Sequence, residues 1–457
     1  MYLYLKKYYL LLLVIGLLSC RKYVENVPIQ GQRVIEYTED YRALMNNAEL
    51  LQTAFGQPPA FGSDDLDLTA EALQSDIIVN AFRTAMYTWQ KPFYVGTSSD
   101  YDWDALYKGI YTLNTVATQV MTSKGGTEEN KRIILGEALV HRAFSYFMLT
   151  NLYGKQYDAS TSDKDLGVPI ILEPKLFVDV TRVPVQQVYN RVIEDTKKAI
   201  PMLPVKQAIN FRPNKASAYA LLSKVYLFMR DFTKADLYAD STLALSKELY
   251  DYNTDINSFP SQYNDKQVLL RKLSRGYPNV MQLSAPLLNL LGVKDLRYKL
   301  FVRPGSNFFP VFTGSGYWSR ERYTGYPDKQ AVGLSVNETW LIKAECLARA
   351  GKKDDAVKML NDLRKLRFLP ADYADLSAAT ADEALQLVIN ERRLEFFGTG
   401  FRWFDQKRLN KDAMFAKTVT RVLSGKTYTL EPNSNGYVFP LADLLINQNP
   451  EMIQNPK

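Results

Sequence analysis

The chain contains one histidine, His141, and two cysteines, Cys20 and Cys346, in 457 residues. That scarcity argues against a Cys/His zinc site, a histidine-dependent triad and a disulfide scaffold. Beyond the first twenty residues no apolar run approaches the roughly 18 residues of a membrane helix. Blocks of like charge and basic-aromatic motifs are also lacking, so nucleic acid is not expected as a partner. The formal net charge of +7 is spread along the chain. What is plentiful is aromatic: 30 Tyr, 22 Phe and 5 Trp make up 12%. Tyrosine exceeds what a core requires, and its rigid amphipathic ring suits wet contact surfaces. With 46% hydrophobic and 23% charged residues, the composition is globular and supports a large core without staples.

The first residues read as an address. Lys6 and Lys7 precede the uncharged run Tyr8 to Leu18, which ends in Leu17-Leu18-Ser19-Cys20. The run is shorter than the roughly 20 residues that cross a bilayer, so residues 1–19 read as a secretory signal outside the fold. The Leu-x-Ser-Cys ending resembles the bacterial lipoprotein signal, which makes Cys20 the expected lipidation site. Acyl chains contribute about 0.8 kcal/mol per buried CH₂, enough for several to hold a protein on a membrane. Cys346 lies among apolar helix residues and reads as a small buried hydrophobe.

Apolar spacing near 3.6 marks helices over Leu106–Ala117, Ile134–Met148 and Val188–Ile200, the last stopped by Pro201 and Pro204. Two later segments resemble each other. One helix through Ala220–Tyr226 ends near Arg230-Asp231, and its partner opens near Thr233 and carries Ala235. Another through Leu341–Leu347 ends near Ala350-Gly351, and its partner opens near Lys353 and carries Ala356. Such pairs, with a small residue at the crossing, resemble tetratricopeptide repeats and bury a face only by stacking. The spacing is irregular, so embedded pairs are expected rather than a continuous solenoid. The expected fold is therefore mainly α: a scaffold of tetratricopeptide-like helix pairs in a single large domain, with a long irregular loop region containing short β-strands. The loops are residues 154–182 and 250–334. Leu269–Leu273, Lys299–Arg303 and Phe308–Phe312 read as short strands within the second. Loops this long are functional or disordered, and their aromatic content points to function.

Three motifs, in order behind the Cys20 signal, resemble one family. They are Glu137-Ala138-xxx-Arg142-Ala143-Phe144-xx-Phe147 ending at Tyr153-Gly154; Glu391-Arg392-Arg393-x-Glu395-Phe396 continuing into Gly400-Phe401-Arg402-Trp403-Phe404-Asp405-xx-Arg408; and Pro440-Leu441-xx-Asp443 with Asn449-Pro450 and Asn455-Pro456. The chain resembles the SusD/RagB family of Bacteroidetes outer-membrane nutrient-binding lipoproteins from Cys20 to the C-terminus. The resemblance implies a nutrient-binding body over 20–457, with an N-terminal part to about 330 intertwined with a helical part from about 331. It implies non-catalytic capture of an oligosaccharide, or a peptide, and delivery to a SusC-like TonB-dependent outer-membrane transporter. From the residues themselves no cofactor and no metal site is expected, with a bound calcium ion left open. A helical-repeat lipoprotein scaffold that binds a protein partner is the alternative. Arg21-Lys22-Tyr23 follow Cys20 and the first acid is Glu25, so attachment at the cell surface is expected but a periplasm-facing one stays open.

Within the second motif, Glu391 and Glu395 share a helix face at i, i+4, and planar guanidiniums bind carboxylates in bidentate fashion. A structural ion-pair network of Glu391, Arg392, Arg393, Glu395, Arg402 and Asp405 is expected. A glycosidase needs two acids about 5–9.5 Å apart with one pKa raised, and adjacent arginines oppose that. Sugar binding calls for exposed aromatics beside amide or charged groups. Two stretches have that composition: Asn80, Arg83, Trp89 and Tyr94; and Tyr317, Trp318, Arg320 and Tyr323. Trp103 and Trp403 read as core, and His141 as a packed histidine. Asp64-Asp65-x-Asp67 lacks the remaining ligands of a calcium loop and reads as a helix N-terminal or solvated acidic turn.

Overall fold

A computed structural model describes residues 35–456 except 176, 255–262, 275–280, 308–309, 311–315 and 319–330. Cys20, Arg320 and Tyr323 therefore lie outside the described residues, as does most of the Phe308–Phe312 strand expectation. The principal helices are α1 (Tyr101–Gln119), α2 (Glu128–Tyr153), α3 (Val185–Ala199), α4 (Lys215–Phe228), α5 (Phe232–Leu245), α6 (Val336–Arg349), α7 (Lys353–Arg364), α8 (Ala381–Phe396) and α9 (Phe401–Leu409).

Helix α2 is the axis of the molecule. Thr127 caps it by accepting from the Asn130 amide at 3.1 Å, and Glu128 and Glu129 complement the positive end of its dipole. From Ile134 to Tyr153 every residue is buried, so its polar groups need partners inside. Arg142 is forked on Asp195 of α3 at 2.8 and 2.9 Å and donates to Asn114 of α1. His141 contacts the Phe211 carbonyl at 3.1 Å, and burial holds its imidazole well below its ordinary range, so it stays neutral.

Helices α4 and α5 form one antiparallel pair, and α6 and α7 another. Ala235 and Ala356 at the two crossings are fully buried. In the first pair the small side chain lets Ser223 donate to the Ala235 carbonyl at 2.9 Å; in the second, Trp340 Nε1 donates to the Met359 carbonyl at 2.9 Å. α5 packs on α6, and α8 covers α6 and α7. The pairs stack as tetratricopeptide-like units, and the fold is mainly α. One buried apolar cluster extends from Tyr41 to Met452 and so joins the two parts of the chain.

The strands are short and decorate this frame. β1 (Thr53–Phe55) pairs in parallel with β3 (Leu273–Ser274), and β2 (Val268–Leu270) pairs antiparallel with β7 (Leu334–Ser335). β4 (Met281–Gln282), β6 (Gly316–Trp318) and β5 (Val302–Pro304) form an antiparallel sheet with β6 in the centre. The strand expected over Lys299–Arg303 begins only at Val302. The preceding residues form a short helix, Leu296–Phe301, because Asp295 accepts from the Arg297 amide at 2.8 Å and caps it. A hairpin of β8 (Val419–Leu423) and β9 (Lys426–Leu430) closes the C-terminal part. Ser424 and Gly425 both have positive φ, at 48° and 73°, which fits a tight type I′ connection.

Candidate functional site

The segment Asp64–Ala70 connects the two aromatic stretches. On one side, the Leu68 amide donates to the Tyr87 hydroxyl at 2.9 Å, fixing the helix Ala81–Thr88. Asn80 caps that helix by accepting from the Arg83 amide at 3.0 Å, and Arg83 lies 3.4 Å from Asp76. On the other side, Gln282 of β4 accepts from the Thr69 and Ala70 amides at 2.7 and 3.0 Å. Gln282 pairs in register with Tyr317, and Met281 with Trp318. The backbones carrying Asn80/Arg83 and Tyr317/Trp318 are thus held by one seven-residue loop. Ile78 and Val79 are exposed beside Asn80, which leaves apolar surface on that side of the loop.

Two expected ligand contacts sit elsewhere than a surface. Trp89 is only 6% exposed. It ends its helix in the left-handed region at φ 57°, which swings the indole inward, and Nε1 donates to the Gly62 carbonyl at 2.9 Å. The Arg421 guanidinium lies over the rings of Tyr87 and Trp89 at 4.3 and 4.6 Å. Tyr94 is also buried, packed on Phe82 at 5.1 Å and hydrogen-bonded to Asp100. Both rings therefore work in the core rather than presenting a face. Trp103 and Trp403 are buried in aromatic clusters, the latter stacked on Phe439 at 5.2 Å.

The acidic turn is not solvated. Asp64 and Asp65 are enclosed by cations of the Glu391–Asp405 motif. Arg402 forks on Asp64 at 2.6 and 3.0 Å, and Arg393 reaches Asp65 at 2.7 Å. Lys417 adds a contact to Asp64 at 2.9 Å. Burial raises the Asp64 carboxyl, but Arg402 and Arg393 more than offset this and hold it well below its ordinary range. These contacts anchor the loop from below. Among the described residues no group of three His, Cys, Asp or Glu side chains could hold a metal ion.

The other motif charges form a buried chain through the frame. Lys224 of α4 lies 2.9 Å from Glu338 of α6, and Glu338 accepts from Arg392 of α8 at 2.8 Å. Arg392 continues to Asp405 of α9 at 2.9 Å, Asp405 to Arg408 at 2.8 Å, and Arg408 forks on Glu345 of α6 at 2.7 and 2.8 Å. Glu345 passes to Arg349, which meets Asp412, and Asp412 also binds Arg230 at the turn between α4 and α5. Glu391 and Glu395 take partners from outside the motif. Arg367 forks on Glu395 at 2.7 and 2.9 Å, Arg297 bridges Glu391 and Glu395 at 2.7 and 3.0 Å, and Arg364 reaches Glu391 at 3.0 Å. Burial pushes the Glu395 carboxyl up, while Arg367 and Arg297 outweigh it, leaving the group ionised and depressed. Glu395 is thus held as an anion, unlike a general acid, which needs a raised pKa.

Sequence reasoning missed Arg421. It lies 3% exposed on β8, donating to the Phe61 and Tyr87 carbonyls at 2.6 and 2.7 Å and to those of Ser63 and Leu66. Its signal was available: residues 419–423 alternate buried and exposed positions ahead of the Ser424-Gly425 turn.

A family model described as the SusD family matches residues 336–457. A second, SusD-like and described as "Starch-binding associating with outer membrane", matches residues 44–227. The chain belongs to the SusD/RagB family. Two SusD-like proteins of Formosa agariphila are 23% and 25% identical to it, over 79% and 77% of this chain and 80% and 78% of theirs. Among solved structures, a SusD superfamily protein of Bacteroides thetaiotaomicron shares the fold at a TM-score of 0.75 and 21% identity, covering 92% of this chain and 100% of that one. A putative sugar binding protein of Bacteroides vulgatus matches at 0.71 and 20% identity, covering 93% and 99%. The SusD/RagB motif at Glu391–Arg408 is thus, in this chain, the buried charge lattice just described. No helix of the described residues is long and apolar enough to cross a membrane.

Proposed function

We propose that this SusD/RagB chain is a non-catalytic nutrient-capture protein, tethered to the outer membrane through lipidated Cys20. It holds an oligosaccharide and passes it to a TonB-dependent transporter; a peptide is the second ligand class. Residues 20–457 act as one body in this reading. The capture face comprises Tyr317 and Trp318 of β6 with Asn80 and Arg83, joined by Arg320 and Tyr323 of the following segment.

The observation that supports this reading most is the shared anchoring of β6 and the Ala81–Thr88 helix on Asp64–Ala70. A loop held at one end through the Leu68, Thr69 and Ala70 amides by the Tyr87 and Gln282 side chains, and at the other through Asp64 and Asp65 by Arg402 and Arg393, gives a preorganised base for ring-stacking contacts. Absence of catalysis is supported by the pairing of the motif's acids with arginines. Family membership adds weight, since relatives of the same fold are described as sugar or carbohydrate binding proteins. The test is an array of oligosaccharides and peptides probed with the chain lacking residues 1–20. Trp318→Ala and Arg83→Ala are expected to lose the binding that the parent shows. Unchanged binding in both variants would sink the assignment of this face.

A further inference from the structure

Apart from the aromatic stretches, a polar concavity lies where the turn after α2, the end of α9 and the segment following the β8–β9 hairpin converge. It encloses about 250 Å³ and is lined by Gln156, Asp158, Lys407, Lys411, Asn433 and Tyr437 among others. Its rim charges are already matched: Lys411 lies 2.9 Å from Asp158, and Lys155 lies 2.9 Å from Asp165. Its floor is not. Lys407 is 3% exposed, and its Nζ donates to the Asn151 and Gly154 carbonyls at 2.8 and 2.6 Å. An ammonium has three N–H donors, so one remains. Among the described residues no carboxylate pairs with Lys407, and the charged group that bears on it is Lys91, a like charge.

Part of this arrangement is structural. The two carbonyls belong to the C-terminal end of α2, whose dipole presents about half a negative charge to a cation. That offsets only part of a full positive charge, and burying an unmatched charge is costly. Burial lowers the Lys407 ammonium to about 7 and that of Lys91 to about 8, which is the response of cations short of a counter-ion. A second observation points to the same cavity. Gln156 is 6% exposed and lines it; its Nε2 donates to the Phe228 carbonyl at 2.6 Å, while Oε1 has no hydrogen-bond partner among the described residues. A buried donor with spare charge and a buried acceptor with spare capacity face one small, hydroxyl- and amide-rimmed space.

We propose that this cleft is a second ligand site, sharing no residue with the aromatic face, which takes a monoanionic polyhydroxylated ligand of one ring, of the uronate class. Its carboxylate accepts from Lys407 Nζ, a ring hydroxyl donates to Gln156 Oε1, and the Asn433 side of the rim meets the remaining hydroxyls. The volume lies below the roughly 300–1,000 Å³ of pockets for larger ligands, which limits the occupant to one ring. The site stands whether or not the aromatic face binds oligosaccharide.

The test is calorimetric titration of the full chain in detergent, at pH 7.5, with sodium D-glucuronate, D-glucose and sodium acetate, in two buffers of different ionisation enthalpy. Saturable glucuronate binding is expected, at least tenfold tighter than glucose or acetate. Binding is accompanied by net proton uptake, because the bound carboxylate draws a proton onto Lys407. Gln156→Glu places an anion in the cleft and is expected to weaken glucuronate at least tenfold, with circular dichroism confirming the fold. Lys407→Met abolishes binding; should it fail to fold, the proton uptake and the Gln156→Glu result still decide. No saturable glucuronate binding, equal binding of glucose, absence of proton uptake, or unchanged affinity in Gln156→Glu each overturns the proposal.

Discussion

Arg393 Nε donates to Asp65 Oδ1 at 2.7 Å, across 328 positions of sequence. The contact couples the family motif on α8 to the loop that carries both candidate ligand-contact elements. Both side chains are nearly enclosed, at 10% and 4% exposure. Removing one partner of such a pair leaves the other charge buried and costs about 3–5 kcal/mol. We predict that Arg393→Ala lowers unfolding free energy by that order, and that the matching Asp65→Ala change is not additive with it. Urea unfolding of both singles and the double variant measures the coupling.

The lattice through Lys224, Glu338, Arg392, Asp405, Arg408 and Glu345 sets the response to acid. Burial raises Asp405 and Glu345, but the arginines beside them win and depress both. A depressed carboxylate binds fewer protons folded than unfolded, so its stabilisation is present above the ordinary carboxylate range and lost as pH falls through and below it. Thermal stability is therefore expected to fall from about pH 5 downward. Arg408→Met, which strips the common partner of both acids, should destabilise at pH 7 and lessen that dependence. A melting-temperature series against pH that runs parallel in parent and variant would count against this.

Asp100 and Asp102 at the start of α1 behave in the opposite sense. Both are buried, and burial followed by the Asp100 charge pushes Asp102 up to about 8. A carboxyl whose folded pKa is raised binds more protons folded, so it loses stability as pH rises from the unfolded value near 4 toward 8. Asp102→Asn, which keeps the shape without the charge, is expected to stabilise the chain at pH 8 and to matter little at pH 4. Denaturant midpoints at the two pH values check the sign.

Ala235 and Ala356 occupy the crossings of the two helix pairs, each fully buried. Ala235→Leu forces the helices apart where Ser223 donates to the Ala235 carbonyl. Overpacking of this kind costs about 1–3 kcal/mol, measurable as a lowered denaturant midpoint.

The frame was legible in the sequence because helix pairs write themselves locally. Apolar spacing, Ala235, Ala356 and the Tyr153-Gly154 stop all lie within a few residues of what they determine. The site was less legible because its determinants are distant. The arginines that hold Glu395 sit 28 and 98 positions away, so the motif alone suggested pairing within itself. Trp89 reads as a surface ring next to Gln90, and only its left-handed backbone and the Gly62 carbonyl 27 positions earlier turn it inward. Asp64 and Asp65 look like a solvated turn until Arg402 and Arg393 arrive from the other end of the chain.

The central claim is capture by the aromatic residues of β6, a strand anchored to the Asp64–Ala70 loop, without chemistry on what is captured. It is tested most directly by isothermal titration of parent and Trp318→Ala with the oligosaccharide that scores highest on the array, recovering the sugar afterwards for mass analysis. The account predicts an intact sugar and an affinity about tenfold weaker in the variant, the loss of one stacking contact of about 1–1.5 kcal/mol. Shortened sugar from the parent, or equal affinity in the two proteins, would contradict it.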